Sequence, residues 1–271
     1  MSGRKKKNKQ IKVKFLCIFL IVLLFMLTLL LELVLVKQIV RVDKFYSIEN
    51  RKEKIKESKK EDDEGHETIG WVRVQGTNID YPVYGVLNRL FSYPVNSDSY
   101  TWSLSYDSKY HDLMMIYGHN ILNLSSNPKM SDKNFNRMEE LMRFLYYDFV
   151  KENKYIQLSM DGKNQLYKIF SVSFMKVNEL NAYPTGGLDS NSRKDYLEKV
   201  NDNSIYNFDI DVSESDEILS VVTCTRFFDN KENYDFIVTG RKVRENEKIE
   251  NYKVYRNRNY EKIEEIMKGE D

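Results

Sequence analysis

Cys224 closes the apolar run Ile218-Leu-Ser-Val-Val-Thr-Cys224, and Tyr117-Gly-His-Asn120 lies well upstream of it. A thiolate is a strong nucleophile, and a nearby imidazole can share or carry its proton, so Cys224 and His119 form a candidate nucleophile and base. The chain has 2 cysteines, and Cys17 lies in an apolar run near the start. If that run spans a membrane, the two thiols cannot meet, which leaves Cys224 free in an exported domain. The competing reading of Cys224 is a small buried core residue. There are 3 histidines: His66 falls in a charged stretch, His111 lies among polar residues, and His119 follows a glycine at a strand end. His119 is therefore the best-placed base by elimination, against the alternative of a satisfied turn residue.

The elements that must position these residues are short. Trp71–Val74 and Ile79–Val83 read as strands around the turn signal Gln-Gly-Thr-Asn. Leu113–Tyr117 reads as a buried strand ended by Gly118. Tyr155–Met160 and Leu166–Phe174 flank Asp161-Gly162, a strong hairpin signal. Phe135, Met138, Met142, Leu145 and Phe149 alternate spacings of three and four, which predicts an amphipathic helix capped by Asp132 or Asn134. Asp189–Val200 predicts a second helix, with Tyr196, Leu197 and Val200 on one face. Ile218–Thr223 and Phe236–Thr239 are two more strands. Many short strands with inserted helices predict a mainly β domain, a barrel or sandwich.

From Arg4 to Lys14 there are seven basic residues and no acidic ones, followed by the apolar run Phe15–Val36. At ~1.5 Å per residue those positions span about 33 Å, enough to cross a hydrocarbon core. The basic flank keeps the N-terminus cytoplasmic and sends the rest outside, and no cleavage pattern follows the span. The sequence thus divides into a basic tail (1–14), a transmembrane anchor (15–36), a charged stalk (37–66), a catalytic domain (67–243) and a charged tail, helical or loose (244–271). With 42 basic and 41 acidic residues, the near-neutral balance argues against nucleic-acid binding. The few His and Cys residues show no metal-ligand spacing, and no cofactor is expected.

Tyr117-Gly-His-Asn120 followed by Val222-Thr-Cys224 resembles the sortases, the membrane-anchored cysteine transpeptidases of Gram-positive bacteria. Class B is matched by Gly70-Trp-Val-Arg-Val-Gln-Gly-Thr-Asn-Ile-Asp-Tyr-Pro-Val83, by the helix Phe135–Phe149 with Asn153-Lys-Tyr-Ile-Gln-Leu158, and by the approach Ser204-Ile-Tyr206 to Asp216-Glu-Ile-Leu219. The resemblance implies an eight-stranded sortase β-barrel with class B helical additions over about residues 67–243. It implies that Cys224 cleaves a C-terminal sorting motif of the NPQTN or PKTG kind in surface proteins through a thioester. The implied acceptor is a peptidoglycan stem or cross-bridge amine, or a pilin lysine.

Three departures stand out. Ser220-Val-Val-Thr-Cys224 replaces the family's Thr-Leu-x-Thr-Cys. The pattern expected between Val83 and Leu113 survives only as Ser103-Leu-Ser-Tyr-Asp107. Asp235 precedes Phe236-Ile-Val-Thr-Gly-Arg241 where the family places an arginine that donates to the substrate backbone or oxyanion. A carboxylate cannot fill that role. Arg226 is the candidate substitute, and its competing reading is a solvated loop arginine. Arg241 shares the strand face of Asp235 but lies about 20 Å further along. Two other readings stay open: a non-catalytic sortase-like protein that binds sorting signals, and another Cys-His cell-wall enzyme.

Overall fold

The computed structural model describes residues 16–34, 68–85, 103–107, 110–130, 138–160, 162–176, 188–228 and 234–269, with the side chains of 68, 84, 85, 103–107, 110 and 111 outside that description. The expected basic tail (1–14), the stalk (37–66) and the cap residues Asp132 and Asn134 lie outside the described residues. The chain forms two compact units, Met1–Asn50 and Arg51–Asp271. In the first, helix α1 (Leu16–Val34) is apolar and long enough to cross a membrane.

In the second, eight strands close a barrel: β1 (Thr68–Val74), β2 (Asp80–Gly85), β3 (Ser103–Asp107), β4 (Tyr110–Gly118), β5 (Tyr155–Met160), β6 (Lys163–Lys176), β8 (Ile218–Thr225) and β9 (Tyr234–Lys242). Their order is β1-β2-β3-β4-β8-β9-β6-β5, closed by the β1–β5 pair. β2–β3 and β4–β8 are parallel and the other pairs antiparallel. β7 (Tyr206–Phe208) and β10 (Val254–Arg256) make a separate two-stranded ribbon.

Period-two patterning fills the core. Val72, Val74, Met114, Ile116, Ile156, Leu158, Leu219, Val221, Phe236 and Val238 are all buried in one cluster. On β6 the inward residues run Tyr167, Ile169, then Val172, because the register slips between Ile169 and Ser171. That bulge turns Phe170 outward, where it joins Leu113, Ile218 and Leu197 of helix α3 (Ser190–Asp202). Asp189 caps α3 by accepting from Ser192 N at 2.9 Å. At the β5–β6 hairpin, Gly162 takes φ +70°, as a tight two-residue turn requires. Gly76 takes φ +76° in the β1–β2 turn, and a Cβ there would fall 2.2 Å from Asn153 Oδ1.

The amphipathic stretch expected as one helix is two. Met138–Leu145 winds as a 3-10 helix, Tyr146 is extended, and α2 covers Tyr147–Glu152. Tertiary contacts hold this tighter winding. Met138 N donates to His119 O at 3.1 Å, Asn78 Nδ2 donates to Glu140 Oε1 at 3.1 Å, and Tyr146 Oη bonds Pro128 O. Past Val243, packing continues. Tyr252, Val254, Tyr260 and Ile263 are buried, and helix α4 (Arg258–Lys268) is capped by Asn257 and ended by Gly269 at φ +69°. The end of the charged tail is therefore helical and docked rather than loose.

Candidate active site

β4 and β8 run parallel in register, with Tyr117 beside Val222 and Gly118 beside Thr223. Thr223 Oγ1 donates to Gly118 O at 2.7 Å, which ties the two strand ends together. The next residues along, His119 and Cys224, therefore emerge at the same end of the barrel. The Cys224 thiol donates to Asn120 O at 3.4 Å, so it points at the backbone carbonyl of the residue that follows His119. Cys224 and His119 are both half-buried.

The loop that carries His119 is fixed by two asparagines. Asn120 Oδ1 accepts from Asn123 N at 3.0 Å, and Asn120 Nδ2 donates to Asn123 O at 3.0 Å. Asn123 Oδ1 accepts from Lys129 N, and its Nδ2 donates to Glu139 O at 3.1 Å. Buried amides satisfied on every side make a rigid loop. The sequence signal for this was the Asn120-x-x-Asn123 spacing, an Asx-type turn pattern.

Arg226 follows β8 directly. Its backbone N–H donates to Leu124 O at 3.0 Å, and its side chain is exposed. Arg241 lies at the opposite end of β8–β9, where it pairs with Ile218, whereas Cys224 pairs with Asp235. Asp235 is 2% exposed, and its Oδ1 has no hydrogen-bond partner. Burial pushes the Asp235 carboxyl up to about 7. Burial also raises the Cys224 thiol, and the Asp235 charge adds to this, while the contacts to Asn120 and Tyr117 pull the other way. The thiol is thus held protonated until a base takes its proton.

On the same outer face, Met115, Val222, Ile237 and Met175 form an apolar floor with Tyr117 against it. Beyond it, a cavity lined by Ser173, Met175, Tyr196, Lys199, Ile237 and Thr239 leads toward α3. Site and floor form one strip of sheet surface.

Known structures share the closed eight-stranded barrel with its parallel β4–β8 pair. A mutant form of Clostridium perfringens sortase B is 23% identical, with a TM-score of 0.54 over 65% of this chain and 82% of that one. The Staphylococcus aureus sortase B–substrate complex is 16% identical, with a TM-score of 0.54 over 77% and 91%. Sortase B from the type II pilus of Streptococcus pneumoniae is 24% identical, with a TM-score of 0.50 over 65% and 91%. No family model and no curated protein sequence matches the chain. The fold is that of the class B sortases.

Proposed function

We propose that the protein is a class B sortase, a cysteine transpeptidase anchored by α1 with its catalytic domain outside the cell. The observation that carries the reading is the placement of Cys224 and His119 at neighbouring strand ends of this fold, with the thiol turned onto the backbone carbonyl of Asn120, the residue after His119. His119 takes the thiol proton, and the sulfur attacks the Thr carbonyl carbon of a sorting motif of the NPQTN or PKTG kind. The C–N bond breaks, His119 returns the proton to the leaving amine, and a thioester remains on Cys224. A peptidoglycan stem or cross-bridge amine, or a pilin lysine, then resolves it. Arg226, exposed beside the site, is the candidate donor to the oxyanion.

The second reading, a sortase-like protein that binds sorting signals without cleaving them, is favoured by one observation: Asp235 stands where the class's arginine is expected. Both are tested by incubating the full chain with sorting peptides and trapping acyl-enzyme. Cys224→Ala abolishes acylation and methanethiosulfonate labelling. Arg226→Ala slows acylation by about 10²- to 10³-fold while leaving that labelling intact. Normal labelling of the wild type with no acylation by any peptide would select the binding protein.

A further inference from the structure

We propose that Asp235 receives the acceptor amine, its carboxylate binding the incoming ammonium beside Cys224 and taking its proton before the amine attacks the thioester. The assignment rests on the reading of the chain as a transpeptidase.

Asp235 and Cys224 are direct cross-strand partners on β9 and β8, so their side chains leave the same face of the sheet. Asp235 also sits opposite Met175 of β6 and two residues before Ile237, both part of the apolar floor. Among the described residues, the polar groups at this end include Cys224 itself, Tyr117 at the end of β4, His119 just past it, and exposed Arg226 beyond β8. On the neighbouring pair, the Lys176 ammonium lies 5.7 Å from the Tyr234 ring centroid. Among the described residues no ion pair forms with Asp235, and its Oδ1 accepts no hydrogen bond. A buried carboxylate oxygen left this way costs stability, and it fits a site whose partner arrives with the ligand.

The chemistry of the second half-reaction supplies such a partner. An amine of lysine type arrives as an ammonium, with an ordinary pKa of about 10.4, and is not nucleophilic until deprotonated. Burial holds Asp235 near 7, which suits a base working at neutral pH. The Asp235 carboxylate takes one proton from the ammonium. The freed nitrogen lone pair attacks the thioester carbonyl carbon, and a C–N bond forms. The tetrahedral adduct collapses, the C–S bond breaks, and its electron pair leaves on sulfur. His119 carries the second nitrogen proton to the departing Cys224 thiolate, and Asp235 releases its own proton to solvent.

The test uses the full chain in detergent, acylated at Cys224 with p-nitrophenyl acetate, which needs no sorting motif. Release of the acyl group is measured with and without glycine amide. In Asp235→Asn, acylation and hydrolysis are not slowed, while amine-dependent release falls by about 10²-fold and Asp235→Glu restores part of it. Asp235→Ser, a smaller change that also removes the carboxylate, shows the same selective loss. Removing the charge also lowers the thiol pKa, so iodoacetamide alkylation at neutral pH becomes faster. Equal amine-dependent release in wild type and Asp235→Asn overturns the proposal, as does wild-type release that ignores the amine. Loss of acylation in Asp235→Ser with retention in Asp235→Asn also overturns it, and makes Asp235 a neutral donor to the oxyanion instead. A chain that passes this test yet cleaves no sorting peptide refutes the sortase reading alone; one that cleaves peptides but transfers to amine without Asp235 refutes this assignment alone.

Discussion

The two ends of the β8–β9 pair carry buried charges of opposite sign on one strand face, and the protein treats them in opposite ways. At the far end Arg241, 1% exposed, donates from Nη1 and Nη2 to Glu247 at 2.7 Å and from Nε to Asp211 O at 2.7 Å. Lys168 Nζ donates to Glu247 at 2.6 Å, and Arg244 Nε donates to Asp216 at 2.7 Å, which extends the network. At the near end Asp235 leaves an oxygen without a partner beside Cys224. A desolvated charge is tolerated when its hydrogen bonds are made and is costly when they are not. The Arg241 end staples residues 244–247 onto the barrel. The Asp235 end leaves an interaction unmet beside Cys224.

The largest expected effect breaks the satisfied end. Glu247→Ala leaves Arg241 buried without its bidentate partner and should destabilise the fold by about 3 kcal/mol or more. Thermal melts with and without the substitution measure this, while methanethiosulfonate labelling of Cys224 stays unchanged. The pH dependence has a definite sign. Arg241 and Lys168 hold the Glu247 carboxyl well below its ordinary value. Its contribution is therefore present above the unfolded pKa, about 4.3, and fades as pH falls through the folded one. An unchanged melting temperature in Glu247→Ala would erase the contrast between the two ends.

Next in size is His119→Ala at the near end, which should slow peptide acylation by at least about 10²-fold, or about 2.7 kcal/mol of barrier. Melting should shift little, because the loop is held by Asn120, Asn123 and the His119 backbone carbonyl. If His111→Ala were damaging and His119→Ala harmless, the site would be misassigned.

The smallest effect is Asp235→Asn on stability. A carboxyl raised to about 7 favours the folded state below its unfolded pKa and loses that advantage as pH rises through 7. Asp235→Asn should therefore match wild type near pH 4 and exceed it by roughly 1–3 kcal/mol above pH 8. Denaturant titrations at those two pH values check this, and an equal difference at both would mean that Asp235 is not held near neutrality by burial.

Local chemistry made much of this molecule readable. Leu113–Tyr117 is apolar throughout because a strand of a closed barrel that also carries helices buries both faces. Asp161-Gly162 declared its hairpin, and Asp189 declared the start of α3, because turns and caps depend on residue type alone. The stretch 138–152 was harder. Its periodicity marks a buried face, but the 3-10 winding follows from bonds to His119 and Glu140 made by distant segments. The ribbon of β7 and β10 was equally hidden, since Tyr206 and Arg256 pair across a long separation and neither short run declares a strand alone.

By itself the sequence determined an apolar span, a free Cys224 at a strand end, and a histidine after a glycine at another strand end. Those features depend only on residue type and local period. That β4 and β8 are parallel neighbours, so that His119 and Cys224 reach one site, was decided by barrel closure. So was the pairing of Asp235 with Cys224 and the removal of Arg241 to the far end with Glu247. Strand order and register arise from long-range burial and hydrogen bonding, which join residues that no local pattern connects.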